Sequence, residues 1–256
     1  MFRVFSVCIA LCACTLMLPA NLQAELYEIR GYVLGENGDE AAVDQYLSKA
    51  LLPALQRQGI GPVGAFTNSE NDQTGVKTIF VVIPHDGPES MGRNRQKVQL
   101  DEQYQKDAEA FFARGNRNRA YQRISSELLV AMDCMPNAKV PEGTIENKDR
   151  VYELRVYESA NEKIGNLKVE MFNSGEVPIF LDCGIIPIFI GQAVVGPYTP
   201  SLTYLTLYDD EESRLDAWKA FRVHPDWKVL SQVAKYKGTV SKIHKYVLVP
   251  KSYSQM

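Results

Sequence analysis

Apolar and polar residues alternate along Tyr27-Glu28-Ile29-Arg30-Gly31-Tyr32, and again along Tyr152-Glu153-Leu154-Arg155-Val156-Tyr157. Alternation at period two in an aromatic-rich run predicts a strand. From Asp39 to Gln58 the period changes. Val43, Tyr46, Leu47, Ala50, Leu51 and Leu55 recur at helical spacing, and Gly59 follows where a helix C-cap favours positive φ. Glu162 to Cys183, followed by Gly184, repeats that helix. Pro53 and Pro178 lie inside these helices and predict a kink or break, because proline removes a backbone donor. Strand-like runs follow at Pro62–Phe66 and Lys77–Ile83, and at Pro187–Val195 and Ser201–Tyr208. A second helix comes next, over Arg93–Phe112 or over Glu211–Tyr236 with an interruption at Pro225. Each half closes on a strand, Glu127–Met132 or Lys242–Val249.

The two halves match without a gap at an offset of 125 residues. That offset pairs Pro53 with Pro178, Gly59 with Gly184, Ile60 with Ile185 and Pro62 with Pro187, and lays Ile79–Val82 on Tyr204–Leu207. The chain is therefore expected to be a tandem duplication of a β-α-β-β-α-β, ferredoxin-like unit. The expected organisation is a first unit over 25–135, a polar linker over 136–150 and a second unit over 151–250. A unit with both helices on one sheet face leaves the other face bare. The predicted fold class is α+β: the two antiparallel sheets pack face to face as an α+β barrel with helices outside, within one chain or between copies in a homo-oligomer.

The strand YELRxY, the helix ending in a Pro-to-Gly segment, the hairpin, and Trp218 followed by His224-Pro225-Asp226-Trp227 resemble the NIPSNAP family of the dimeric α+β-barrel superfamily. The likeness is good over the second half and weaker over the first, which lacks the His-Pro-Asp-Trp motif and carries Tyr104 where Trp227 stands. The resemblance implies ferredoxin-like units. It implies no activity, because the family has no agreed catalytic motif. Its animal members are mitochondrial and linked to vesicle traffic and to clearance of damaged mitochondria.

The first 24 residues argue for a different compartment. Arg3, an apolar stretch from Val4 to Pro19 and a small Ala24 form the pattern of a secretory signal peptide, which predicts a periplasmic or secreted protein. Leu11-Cys12-Ala13-Cys14 also resembles a lipobox, with Cys14 as a lipidated N-terminus; the apolar residues after it favour cleavage at Ala24 instead. Cleavage there takes the net charge from −3 to −4 and leaves Cys134 and Cys183, expected as buried free thiols. The acidic balance argues against nucleic acid, which calls for a clustered basic surface. Beyond residue 24 no apolar run is long enough for a membrane span.

Candidate chemistry is sparse. Alternation puts Glu28, Arg30 and Tyr32 on one strand face, and Glu153, Arg155 and Tyr157 on the equivalent face. If the apolar set packs under the helices, these six point into the space between the sheets and are candidates for binding a polar small molecule beside Tyr204 and Tyr208. The alternative is structural pairing within each strand. His224 is the weak candidate for an acid–base residue. The competing reading makes Asp226 a helix N-cap, Trp218 and Trp227 core aromatics, and Pro225 punctuation. The three histidines, His85, His224 and His244, have no metal-ligand spacing, so no metal or cofactor is expected. The basic run Arg114 to Arg123 has the composition of a solvated face. The sequence thus favours an exported, non-catalytic barrel that binds a small ligand or a protein partner. A competing reading is a cofactor-poor monooxygenase- or isomerase-like enzyme with its pocket between the sheets. A weaker one is a haem protein using His224 or His244.

Overall fold

The computed structural model describes residues 25–256; the leader, lipobox and cleavage assignments lie outside the described residues. The first half runs β1 (Leu26–Val33), α1 (Glu40–Tyr46), α2 (Leu52–Arg57), β2 (Gly64–Asn68), β3 (Thr78–His85), α3 (Pro88–Leu100), α4 (Glu102–Phe112) and β4 (Arg123–Ala131). The second runs β5 (Val151–Glu158), α5 (Glu162–Met171), α6 (Val177–Asp182), β6 (Ile186–Val195), β7 (Ser201–Tyr208), α7 (Glu211–Val223), α8 (Pro225–Leu230) and β8 (Lys242–Pro250). No helix among the described residues is long and apolar enough to cross a membrane.

The prolines predicted to disturb the long helices do so in the same way twice. Leu47–Leu51 and Phe172–Glu176 form single π-helical turns, and Pro53 and Pro178 then sit in the first turn of α2 and α6. The wider turn removes the need for the amide that proline lacks. Gly59 and Gly184 close these segments at φ +72° and +78°. The first unit's second helix is broken, not continuous: Asp101 is extended and caps α4 by accepting from the Tyr104 amide at 3.0 Å.

Hydrogen bonding orders the strands β1-β3-β2-β8-β5-β7-β6-β4 in a closed barrel. Each unit contributes its strands in the ferredoxin-like order, and all pairs are antiparallel. Two seams join the units: β2 with β8, and β4 with β6. One chain therefore closes the barrel by itself. The sheets are continuous at their edges as well as facing across the core.

The ungapped offset of 125 holds for β1 and β5 but slips at the next strand. Arg30 lies opposite Val81, and Arg155 opposite Tyr204, so β3 and β7 correspond at a spacing of 123. The connection before β3 is longer than the one before β7, and β6 takes up part of the difference in a bulge at Pro187/Phe189. The same spacing relates α3 to α7 and sets Trp218 in the place of Arg95.

The barrel interior is packed by Tyr27, Phe66, Tyr152, Phe189, Leu205 and Leu248, drawn from both units. Phe189 is fully buried, its ring 4.8 Å from that of Tyr27. Phe189→Ala is expected to cost about 3–5 kcal/mol in denaturant unfolding, from lost transfer energy and the cavity left behind.

Candidate functional site

Alternation separated the two strand faces correctly, but the inward face is the opposite one. Tyr27, Ile29, Tyr152 and Leu154 face the barrel interior, while Tyr32 and Tyr157 belong to the helix-covered outer layers. Glu28, Arg30, Glu153 and Arg155 share that outer face and do not point between the sheets. The reason is electrostatic. A buried carboxylate needs a cation: Arg30 and Arg155 supply one from the same strand face, and the helices add Arg95 and Arg214.

In the second unit this layer is filled. Glu153 is wholly buried between Arg155 on its own strand and Arg214 of α7. The Arg155 guanidinium lies 3.6 Å from the Trp218 ring centroid and donates to the Tyr157 hydroxyl at 3.0 Å. Tyr204 donates to the same hydroxyl at 2.8 Å. Phe172 and Phe180 pack against Tyr204, so the tyrosines converge into a packed layer and not around a pocket.

In the first unit the same layer is open. Arg30 donates twice to Glu28, at 2.7 and 3.1 Å. Burial alone would raise the Glu28 carboxyl, but His85, Arg30 and Arg95 hold it at about 2. Where α7 sets Trp218 on Arg155, α3 has Arg95, and α3 buries only Val98. A cavity of about 520 Å³ remains between the sheet and the helices. Its lining includes Arg30, Arg95, Arg114 and Arg119 and contains no carboxylate. Tyr46, Leu51, Leu55 and Phe111 give it an apolar wall, and the Tyr46 and Tyr104 hydroxyls meet at 2.9 Å. His85 is buried on the same wall. Its Nε2 is 3.5 Å from Glu28, and neither ring nitrogen has a hydrogen-bond partner among the described residues.

The second half also carries the recognisable sequence. Residues 152–255 match the NIPSNAP family model. The chain carries a NIPSNAP domain. No curated protein sequence matches it. Among solved structures, a "putative monooxygenase" of Fusobacterium nucleatum superposes with a TM-score of 0.56 at 12% identity, over 89% of this chain and 93% of that one. A "putative monooxygenase" of Lactobacillus acidophilus gives 0.53 at 11%, over 89% and 94%. An uncharacterised NIPSNAP-like domain protein of Burkholderia xenovorans covers 42% of this chain and 90% of its own, at 18% identity and a TM-score of 0.38. At these identities the two full-length likenesses show the fold alone.

Within the NIPSNAP domain, the His-Pro-Asp-Trp motif starts a helix. His224, not Asp226, is the cap: its Nδ1 accepts from the Asp226 amide at 3.3 Å, and Pro225 takes the first helical position. Trp227 packs on Phe221 at 4.5 Å. His224 lies 4.0 Å from Asp182 and lines neither the first-unit cavity nor the barrel mouth. Cys134 and Cys183 are free thiols, but only partly buried against the second unit's outer core, contrary to the full burial expected; burial still pushes Cys134 up to about 11. Among the described residues no group of His, Cys, Asp and Glu converges to hold a metal ion.

A second cavity, of about 420 Å³, does lie between the sheets, at one end of the barrel. Glu127, His244 and Tyr246 line it, and His244 is paired with Glu158. Sequence reasoning passed over Glu127, set His85 aside for want of metal-ligand spacing, and took the basic run with Arg114 and Arg119, near Arg95, as a solvated face and not as a surface for an acidic partner or anionic lipid. Single charged residues on strands and in a polar run carry no spacing signal; only the fold brings them together. Burial lifts the Glu127 carboxyl to about 7, although Thr203 and Ser201 donate to it. The folded state thus holds a proton that the unfolded state releases, and stability falls as pH rises from about 4.5 to 7. Glu127→Gln lacks this loss. Between about pH 4 and pH 8 its stability relative to the parent is expected to improve by up to roughly 3 kcal/mol, measured by denaturant unfolding.

Proposed function

We propose that this protein is an exported small-molecule-binding barrel, and that its ligand is an organic anion with an apolar body held between the sheet and helices of the first unit. One observation carries the reading. The layer that Trp218 and Arg155 fill in the second unit is a cavity of about 520 Å³ in the first, lined by four arginines and no carboxylate. That volume is in the range of small-ligand sites. Arg95 and Arg119 are exposed and placed to take a carboxylate, while Tyr46, Leu51, Leu55 and Phe111 offer apolar contact to the rest. His85, which has only a long 3.5 Å contact with Glu28, would gain a closer hydrogen-bond acceptor from such a ligand. The two units, read as copies of one ancestor, have divided the work: one is packed for stability and the other left open.

Phenylacetate is expected to raise the melting temperature in a thermal-shift assay, and the neutral phenylacetamide to do so far less. Arg119→Ala should weaken phenylacetate about tenfold, the size of one lost charge-assisted hydrogen bond. Arg95→Trp places the second unit's plug in the first. It should abolish the shift without lowering the melting temperature of the free protein. An unchanged shift in Arg95→Trp would remove the assignment.

Export rests on the pattern of residues 1–24. Intact mass of the protein recovered from its native cell envelope or medium is expected to give a mature N-terminus at Glu25. A diacylglyceryl mass on Cys14 would show anchoring instead, and an intact Met1 would contradict both.

A further inference from the structure

The mouth of the barrel poses a separate question. Most of the barrel interior is apolar, but here β4 sends a carboxyl inward. Glu127 is 8% exposed and accepts from the Thr203 hydroxyl at 3.0 and 3.1 Å and from Ser201 at 3.5 Å. Among the described residues it has no ion-pair partner. The backbone leaves room for it: a Cβ on Gly196 would lie 2.9 Å from the Glu127 Cγ.

The surroundings of Glu127 are known from each side. β7 offers only the Ser201 and Thr203 hydroxyls. β8 offers Tyr246 and His244, and the His244 ring is taken up by Glu158 of β5. Asp72, in the connection before β3, accepts from the Val247 amide at 2.9 Å and does not line the cavity. β1 and β3 contribute Gly31, Val33 and Phe80, without charge. Burial and the two hydroxyls therefore set the state of Glu127, and no cation among the described residues acts on it.

The remaining walls are aromatic. The Phe80 and Tyr246 rings are 4.9 Å apart, and Tyr198 stacks on His244 at 3.9 Å. The rim is formed by Val76, half exposed, and Tyr198, from the two hairpin connections. Aromatic faces attract cations, and a buried carboxyl without a counter-ion keeps its proton until a cation takes that proton's place.

We propose that the barrel mouth is a second binding site, for a small organic ammonium ion, with Glu127 as its counter-ion. The ammonium group takes the place of the missing positive charge beside Glu127, and its apolar body lies against Phe80 and Tyr246. In the empty site burial keeps Glu127 largely protonated up to about pH 7, so ammonium binding below that pH displaces the carboxyl proton to solvent. The chemistry is the opposite of that at the first-unit cavity, and the two sites are independent.

Isothermal titration with benzylammonium chloride tests this in the full-length mature protein. Benzylammonium is expected to bind more tightly than benzyl alcohol. Its affinity should increase about tenfold per pH unit as pH is raised towards about 7 and level off above it, with close to one proton released at the lower pH. In Glu127→Gln the affinity should fall about tenfold or more and lose its pH dependence, while phenylacetate binding is unchanged. Equal binding of benzyl alcohol and benzylammonium overturns the proposal, and so does full affinity in Glu127→Gln. Should that variant not fold, proton release by the parent chain decides the matter: its presence supports the assignment and its absence overturns it.

Discussion

Closure of the barrel under its helices buries both faces of the central strands β1, β3, β5 and β7, and most of the architecture follows from that. β1 and β5 have no residue on a free surface; β3 and β7 are buried along their whole length. One face looks into the interior, where the neighbours are mainly other strands, joined by Met256, Ala138 and Val140. The other looks at helices, which can carry charge to it. Strand carboxylates are therefore tolerated under the helices, where Arg214 reaches Glu153 and Arg95 approaches Glu28. The interior takes aromatic and branched residues, with Glu127 as the notable exception among its central strand positions.

The same topology supports two different outcomes in its two halves. The NIPSNAP domain fills its outer layer with Trp218, Phe172 and Phe180, and it also buries the Lys168–Glu176 pair at 2.7 Å. The first unit replaces that plug by an arginine and a polar helix and keeps a cavity. The contrast separates what the fold needs from what it does not. A barrel with one packed layer and two closed seams leaves the other layer free to admit a ligand.

Much of the fold was legible in the chain. Period-two runs marked β1 and β5, helical spacing marked the segments carrying Pro53 and Pro178, and Gly59 and Gly184 marked their ends. These signals are local, so they survive without tertiary information. The break at Asp101 was not legible: the run through Leu100 to Tyr104 stays compatible with helix, and only the cap on the Tyr104 amide ends it. The slip between β3 and β7 was hidden for a related reason. Both are strands buried along their whole length, in which a shift of two residues keeps every side chain on the same face.

The amino-acid sequence by itself determined the elements, their order, the likeness of the two halves, and which residues share a face. Those properties depend on backbone periodicity and on turn residues close by in the chain. Only the tertiary structure decided which face points inward, because both are buried and alternation has no sign. It also decided where the cavities lie. Arg30, His85, Arg95 and Arg119 come from a strand, a strand end, a helix and a loop, and Glu127 meets Thr203 across the seam between the units. Their proximity depends on barrel closure and not on spacing in the chain.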